Sequence, residues 1–376
     1  MTSKTVLLIR NITPDNYGGA EKYQLELSKL MCQHNLSPII ISSSKKLRED
    51  ANKSHIKNLK APYFRIQNWG GIRRIFLPIY IIWQIRLYFW YKKVIRRYKP
   101  IAIQLQSRDD LIAGTLAAKK MGVRSIWTDH SDLRKVVWLN IDQGKNPIGR
   151  YILKLAKYPY RITTVSNHEH AAVQKLIAPA KLTNFIVVQN GVIDTKIKEK
   201  VVPNSICYVG RITKEKGVGE LLNAFCQVSN HFPQATLDLY GNGPELEYYK
   251  TCIKDNRHIK FHGYADDPLL EIARHKIFVL PSYHEGLSLS LLEASMLSKA
   301  IIATNIDGNS EIVINNKTGL LVPVKDTRSL ADAIIELLNN PKKAEKLAKN
   351  ARKLYEEQYN FEKIFVNQIL PLYMVK

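Results

Sequence analysis

Pro281-Ser282-Tyr283-His284-Glu285-Gly286-Leu287-Ser288-Leu289-Ser290-Leu291-Leu292-Glu293-Ala294 follows the apolar run Ile277-Phe278-Val279-Leu280. The run is short, continuous and closed by a proline, as a buried strand requires, and 289–297 predicts a short helix. Glu285 then lies in the strand-to-helix loop, and Glu293, eight positions on, lies on the helix. Loops at the carboxyl ends of parallel strands are where open α/β sheets bind ligands, and the free N–H groups that open the next helix favour an anion. One glutamate can face a substrate hydroxyl while the other reaches a ribose. Two glutamates around an apolar turn are equally at home on a solvated surface, so the reading depends on what surrounds them.

Working outward, strand and helix patterns alternate along the chain, which predicts parallel sheets covered by helices. In the first half, strands fit 6–9, 38–41, 101–105, 124–127, 161–165 and 185–188, and Gly18-Gly19 leads into a helix from Ala20. The second half restarts the pattern with strands at 206–209, 236–240, 259–261, 277–280 and 300–303 and a helix near 217–228. Helical periodicity covers 329–338 and 342–358, and 361–374 is a last apolar-rich segment. A chain of 376 residues exceeds what one core usually supports. The expected division is 1–194 and a second Rossmann-like unit from 195, the Lys- and Val-rich stretch 195–203 following the boundary.

The net charge of +23 is unevenly distributed: residues 1–190 hold 32 Lys and Arg against 11 Asp and Glu, the remainder 24 against 22, so the two parts carry +21 and +2. Such asymmetry predicts an anionic partner for the first half, whether membrane surface, phosphorylated acceptor or nucleic acid, and solubility alone is the plainer explanation. Cys32, Cys207, Cys226 and Cys252 show no paired short spacing, so neither a zinc site nor a disulfide framework is indicated and a reducing compartment fits. The opening Lys4-Thr5-Val6-Leu7-Leu8-Ile9-Arg10 reads as a first strand rather than a signal peptide.

Residues 72–98 are loaded with Ile, Trp, Tyr, Phe, Arg and Lys, including Trp83 and Trp90. The longest uncharged run, 75–85, is eleven residues with Pro78 inside, short of the roughly 20 that cross a bilayer. Projected as a helix, Arg86, Lys92, Lys93, Arg96 and Arg97 share one arc, and Leu87, Tyr88, Trp90, Tyr91, Val94, Ile95 and Tyr98 share the other. Rings that enter the headgroup region beside cations that meet anionic lipid make a monotopic membrane anchor, and a core helix with a solvated basic face is the competing reading.

Just past the second half's first strand comes Gly210-Arg211-Ile212-Thr213-Lys214-Glu215-Lys216-Gly217. Arg211 and Lys216 bracket a strand-to-helix turn, where a guanidinium fork and a point cation can hold a diphosphate. Gly241-Asn242-Gly243 and His262-Gly263 close later strands, where glycine permits a tight turn or a close approach to a flat base.

Together with Pro281-Ser282, Glu285-Gly286, Glu293-Ala294 and Gly319-Leu320-Leu321-Val322-Pro323, these motifs resemble family 4 of the retaining GT-B glycosyltransferases. The resemblance extends to the first half through Gly18-Gly19-Ala20-Glu21, His130, Ser166 and Asn190-Gly191-Val192-x-Asp194, so it covers nearly the whole chain. It implies a GT-B fold: two Rossmann-like α/β domains facing across a deep cleft, 1–194 toward acceptor and membrane and 195–355 toward the nucleotide sugar, with a C-terminal helix in 356–376 returning to the N-terminal domain. It further implies that Arg211 and Lys216 bind the diphosphate, Glu293 the ribose and Glu285 the donor sugar. Gly286 and Leu287 would offer backbone N–H groups, Gly241, Gly243 and Gly263 would line the donor site, and Gly18 and Gly19 would close over the phosphates. His130 would hydrogen-bond the donor sugar. Two departures stand out: Asp129 precedes His130, reversing the family's usual order, and Asn309 stands where a second glycine is more common before Glu311.

The leaving group is a nucleoside diphosphate whose charge grows as the glycosidic bond breaks, so cations at that point lower the barrier. No metal and no cofactor are then expected. Retention in glycosidases uses a carboxylate nucleophile, but the resemblance implies a same-face reaction in which the departing phosphate helps deprotonate the acceptor, and Glu285 is not read as a nucleophile. The expected partners are a nucleotide-sugar donor, a saccharide or lipid-linked acceptor and an anionic membrane surface, the protein lying peripherally on the cytoplasmic face. A GT-B-like sugar-nucleotide epimerase is the alternative enzyme. A nucleic-acid binder rests only on N-terminal charge and interleaved aromatics, and the site motifs fit neither strand nor groove recognition.

Overall fold

The computed structural model describes residues 4–11, 18–63, 77–130, 147–177, 183–253 and 256–374. Expectations that fall on Asn16-Tyr17, on 72–76 and on Ser131-Asp132 lie outside them. Two units emerge: Met1–Gln189 with Phe365–Lys376, and Asn190–Ile364.

The first unit holds β1 (Lys4–Ile9), β2 (Leu36–Ser42), β3 (Asn58–Lys60), β4 (Ala102–Leu105), β5 (Arg124–Asp129), β6 (Arg161–Thr164) and β7 (Phe185–Val187), in the sheet order β3-β2-β1-β4-β5-β6-β7. Every ladder is parallel, with Leu7 opposite Ile39 on one side and Ile103 on the other. Its helices are α1 (Gly19–Gln33), α2 (Lys45–Lys53), α3 (Leu77–Tyr98), α4 (Leu111–Lys120), α5 (Pro147–Leu155) and α6 (Asn167–Ile177). Strands covered on both faces must be apolar throughout, and Val6, Leu7, Leu8 and Ile9 are wholly buried.

The second unit repeats the winding with β8 (Ser205–Val209), β9 (Thr236–Tyr240), β10 (Ile259–Gly263), β11 (Ile277–Leu280), β12 (Ala300–Thr304) and β13 (Leu320–Val322), ordered β10-β9-β8-β11-β12-β13 and parallel throughout. Its helices are α7 (Val218–His231), α8 (Leu246–Cys252), α9 (Pro268–Arg274), α10 (Leu289–Met296), α11 (Asp307–Ser310), α12 (Thr327–Asn339), α13 (Pro341–Leu354) and α14 (Phe361–Ile364). From its own first strand the second sheet reads 3-2-1-4-5-6 and the first sheet the same with a seventh strand added, the doubly wound order in which the direction of strand addition reverses between the first and fourth strands. This is the GT-B plan of two Rossmann-like domains.

Within the second unit, Asn190–Asp194 is pinned to the C-terminal helices. Arg352 donates to both oxygens of Asp194, at 2.9 and 2.6 Å, and Val192 bridges Asn360. The chain then returns to the first unit at Phe365, where α15 (Leu370–Met374) docks on the sheet as Tyr373 donates to Gln104 Oε1 at 2.8 Å.

Helix α3 keeps the expected basic and apolar arcs, but its apolar arc turns to the core, as the competing reading had it. Leu87, Tyr91, Val94 and Ile95, assigned to a membrane-facing side, are buried in the first unit's core. The reason is tertiary: a helix covering a sheet must give that sheet one apolar face, and these residues supply it. Arg86, Lys93, Arg96 and Arg97 are exposed, Lys92, Trp83 and Trp90 are half-buried, and the exposed apolar side chains are Ile79, Ile81, Ile82, Ile85 and Phe89. Among the described residues no helix is long and apolar enough to cross a membrane.

The same helix is fastened to the start of α4. Tyr91 donates to Asp110 Oδ1 at 2.6 Å, Gln84 Nε2 donates to Asp109 O at 2.8 Å, and Ala113 N donates to Gln84 Oε1 at 3.2 Å. Burial pushes the Asp110 carboxyl up to about 7, against hydrogen bonds that pull it down. An unfolded Asp titrates near 3.9, so between about pH 4 and 7 the folded state keeps a proton the unfolded chain has lost. The linked contribution is nil below about pH 4, grows more destabilising up to about pH 7 and is constant above. Asp110→Asn removes it while keeping an acceptor for Tyr91. The variant's stability relative to wild type should therefore rise from pH 4 to 7, read by urea unfolding at both; a pH-independent difference would contradict the assignment.

Candidate functional site

The turning point of the second sheet lies between β8 and β11, and the loops leaving their carboxyl ends hold the candidate residues. After β8, Tyr208 donates from its hydroxyl to Arg211 O at 2.7 Å, fixing the turn on which the Arg211 side chain is exposed. A single 3₁₀ turn at Lys214–Lys216 follows and ends at Gly217, whose φ of +68° lies in the left-handed region. A Cβ there would meet Pro281 O at 2.0 Å, so only glycine lets this turn press against the start of the loop after β11. Tyr283 N donates to Glu215 O at 2.8 Å across the same seam. These backbone contacts set Lys216 Nζ at 2.6 Å from Glu285 Oε1, with about four-fifths or more of each side chain buried.

Neighbouring loops hold Glu285 in place. Asn309, fully buried on α11, donates to Thr304 O and Oγ1 at 3.1 Å each, and Thr304 Oγ1 in turn donates to Ser282 O at 2.5 Å. Gly308 lies so close to the carbonyls of Glu285 and Gly286 that a Cβ would stand 2.4 Å from each. Asn309 therefore clamps α11 and the end of β12 against the loop that carries Glu285. Ser288 caps α10 by accepting from Leu291 N at 3.4 Å. Gly286 is half-buried, Leu287 is buried, and Glu293 is half-buried on α10.

The glycines after β9 and β10 join the same edge. Gly241 N donates to Gly263 O at 2.6 Å, and Ile212 N donates to Asn242 O at 2.9 Å, tying the 241–243 turn to the Arg211 loop. Tyr208 records the electrostatics beneath: burial first, then the Glu285 carboxylate, push its phenol well up, and Arg211 pulls it down. The loops bearing Arg211, Lys216, Gly241, Gly243, Gly263, Glu285, Gly286 and Leu287 thus gather at the carboxyl edge of one sheet, with Glu293 on the helix that the last of them opens.

Gly18, Gly19 and His130 belong to the first unit. Gly18 is the residue before α1, and its N–H donates to Glu21 Oε2 at 2.8 Å, while Arg10 Nε holds Glu21 Oε1 at 2.6 Å. Gly19, the first residue of α1, is exposed. His130 follows β5 with its ring edge-on to Tyr23, centroids 4.7 Å apart. Sequence reasoning missed Thr304 and Ser282 as braces; a threonine closing a buried strand, five residues before a buried amide, was the available signal.

Two family models match the chain: Glycosyltransferase Family 4 over residues 17–196 and Glycosyl transferases group 1 over 192–354. Glycogen synthase of Mycobacterium tuberculosis is 27% identical over 213 residues, 54% of this chain and 51% of that protein. The capsular polysaccharide biosynthesis glycosyltransferase CapM of Staphylococcus aureus is 28% identical over 166 residues, 43% of each. The chain spans about half the length of the curated relatives it matches. Among solved structures, Anabaena HepE in complex with UDP and glucose superposes with a TM-score of 0.77 over 99% of this chain and all of that one, at 17% identity. At that identity the likeness speaks for the fold.

Proposed function

We propose that this chain, a GT-B glycosyltransferase of the family 4 kind, moves a sugar from a nucleotide donor, with retention, to a saccharide acceptor held at an anionic membrane surface. The observation that carries this reading is the Lys216–Glu285 contact at the turning point of the second sheet. Lys216 and Arg211 would supply positive charge where a diphosphate leaves, and the carboxylate of Glu285 lies beside Lys216 to take a sugar hydroxyl. Glu293, on the helix that the Glu285 loop leads into, takes the ribose. The donor reading agrees with HepE, whose structure holds UDP and glucose.

Two paired cations can neutralise the leaving group without a metal ion, so turnover should persist in excess chelator. The acceptor half is supported by the +21 charge of residues 1–190, by the exposed Arg86, Lys93, Arg96 and Arg97, and by CapM's place in capsular polysaccharide synthesis. The named relatives are synthases and transferases, which disfavours the epimerase. The test is a panel of UDP, GDP, ADP and TDP sugars, with released nucleotide as the readout, with and without EDTA. Release from donors of one base, unchanged by EDTA, is expected. No release from any donor, or isomerised donor in place of release, would overturn the reading.

A further inference from the structure

Between α3, α4 and α5 the first unit forms a half-open cavity of about 480 Å³, walled by Gln84, Ile85 and Tyr88 of α3, Ala113 and Leu116 of α4 and Ile148 of α5. Gln84 brings polar atoms to this wall, and both ends of its carboxamide are already committed to the backbone of Asp109 and Ala113. The cavity thus offers carbon surface of a size that holds small ligands. Its rim is apolar too. Ile81 and Ile85, which line it, are half exposed, and Ile82 and Phe89 on the same helix are exposed further. One turn beyond Tyr88, the Lys92 ammonium lies 5.4 Å from that ring and 5.7 Å from Phe89's. Lys93, Arg96 and Arg97 continue the positive charge along α3. An apolar slot with a cation at the edge of one wall complements a molecule with a hydrocarbon chain and an anionic head.

We infer that the α3–α4–α5 cavity binds the hydrocarbon chain of a phosphate-bearing amphiphile, with Lys92 meeting the phosphate. This deepens the acceptor half of the proposed function and rests on it, identifying the acceptor as a lipid gripped by one chain rather than a soluble saccharide. It also replaces the face of α3 first assigned to lipid: Leu87, Tyr91, Val94 and Ile95 serve the core, and the isoleucines of the first half meet the ligand.

The probes are butyl, hexyl, octyl and decyl phosphate below their micelle concentrations, titrated calorimetrically into the full chain without donor. A chain transferred from water gains about fourfold in affinity per methylene, so decyl phosphate should bind at least a hundredfold more tightly than butyl phosphate. Leu116→Trp, which fills the slot from a half-buried position, should remove that dependence. Ile85→Glu, at an exposed rim position that tolerates polarity, should weaken decyl phosphate at least tenfold, so a folding defect in the first variant cannot hide the answer. Equal affinity across the series means a phosphate site alone and overturns the inference. Decyl phosphate bound equally by both variants overturns it as well, as does binding to anionic vesicles with none to decyl phosphate, which would mark a flat surface contact. Nucleotide-sugar hydrolysis, measured separately, tells loss of this inference from loss of the transferase reading.

Discussion

Lys216→Ala should lower turnover of the preferred nucleotide sugar about 10²- to 10³-fold, the usual loss when one preorganised charge partner of a leaving group is removed. The substitution takes away the cation whose Nζ sits 2.6 Å from Glu285 Oε1, so the carboxylate loses its anchor together with the diphosphate. Glu285→Gln preserves shape and one acceptor oxygen but not the charge, and should cost turnover about 10²-fold with a smaller effect on donor affinity. Because the two side chains act as one unit, the double variant should lose less than the product of the single losses. Four-fifths or more of each side chain is buried, so each single variant should melt below wild type, and turnover is compared at a temperature where far-UV circular dichroism shows it folded. Wild-type turnover in both single variants would remove the pair from the chemistry.

The second large effect is expected at Gly217. Alanine at a φ of +68° costs about 1 kcal/mol on backbone grounds alone. Here its Cβ would also meet Pro281 O at 2.0 Å, and backbone cannot move aside as a flexible side chain would. The Lys216 turn and the loop after β11 must part, for a total destabilisation of about 2–4 kcal/mol. Gly263 is the control: its φ is +74°, but a Cβ there meets nothing within 4 Å. Gly263→Ala should therefore show only the backbone cost. Urea unfolding of both reads the difference, and equal losses would mean that the close approach at Pro281 is relaxed at little cost.

The fold was legible wherever local chemistry decides it. Buried parallel strands announced themselves as apolar runs, and 236–240 and 277–280 were placed to the residue. β3 was missed because Asn58-Leu59-Lys60, two half-buried residues and an exposed one, carry no period and owe their pairing to β2. β13 was noticed only as the motif Gly319 to Pro323. In α3 the period gave which side chains share a face but could not say which face meets protein, since a sheet and a bilayer ask for the same residues.

At the site, the position of each candidate in a strand-to-helix loop followed from spacing. The pairing did not. Lys216 and Glu285 are 69 positions apart and meet only because β8 and β11 are neighbours at the turning point of the sheet. The Asn309–Thr304–Ser282 brace is likewise tertiary, and it gives a physical role to a residue that looked like a departure from pattern. Asp110 gave no local sign of its raised carboxyl, because burial behind α3 is what raises it.

The most direct test of the central claim, that Arg211 and Lys216 seat a diphosphate at the carboxyl edge of the second sheet, is calorimetric. A nucleoside diphosphate and its parent nucleoside, of the base the hydrolysis panel selects, are titrated into the wild-type chain and into the Arg211→Ala, Lys216→Ala double variant. Wild type should bind the diphosphate at least a hundredfold more tightly than the nucleoside, and the double variant should bind the two alike. A double variant that keeps the full preference for the diphosphate would place the phosphates elsewhere and contradict the account.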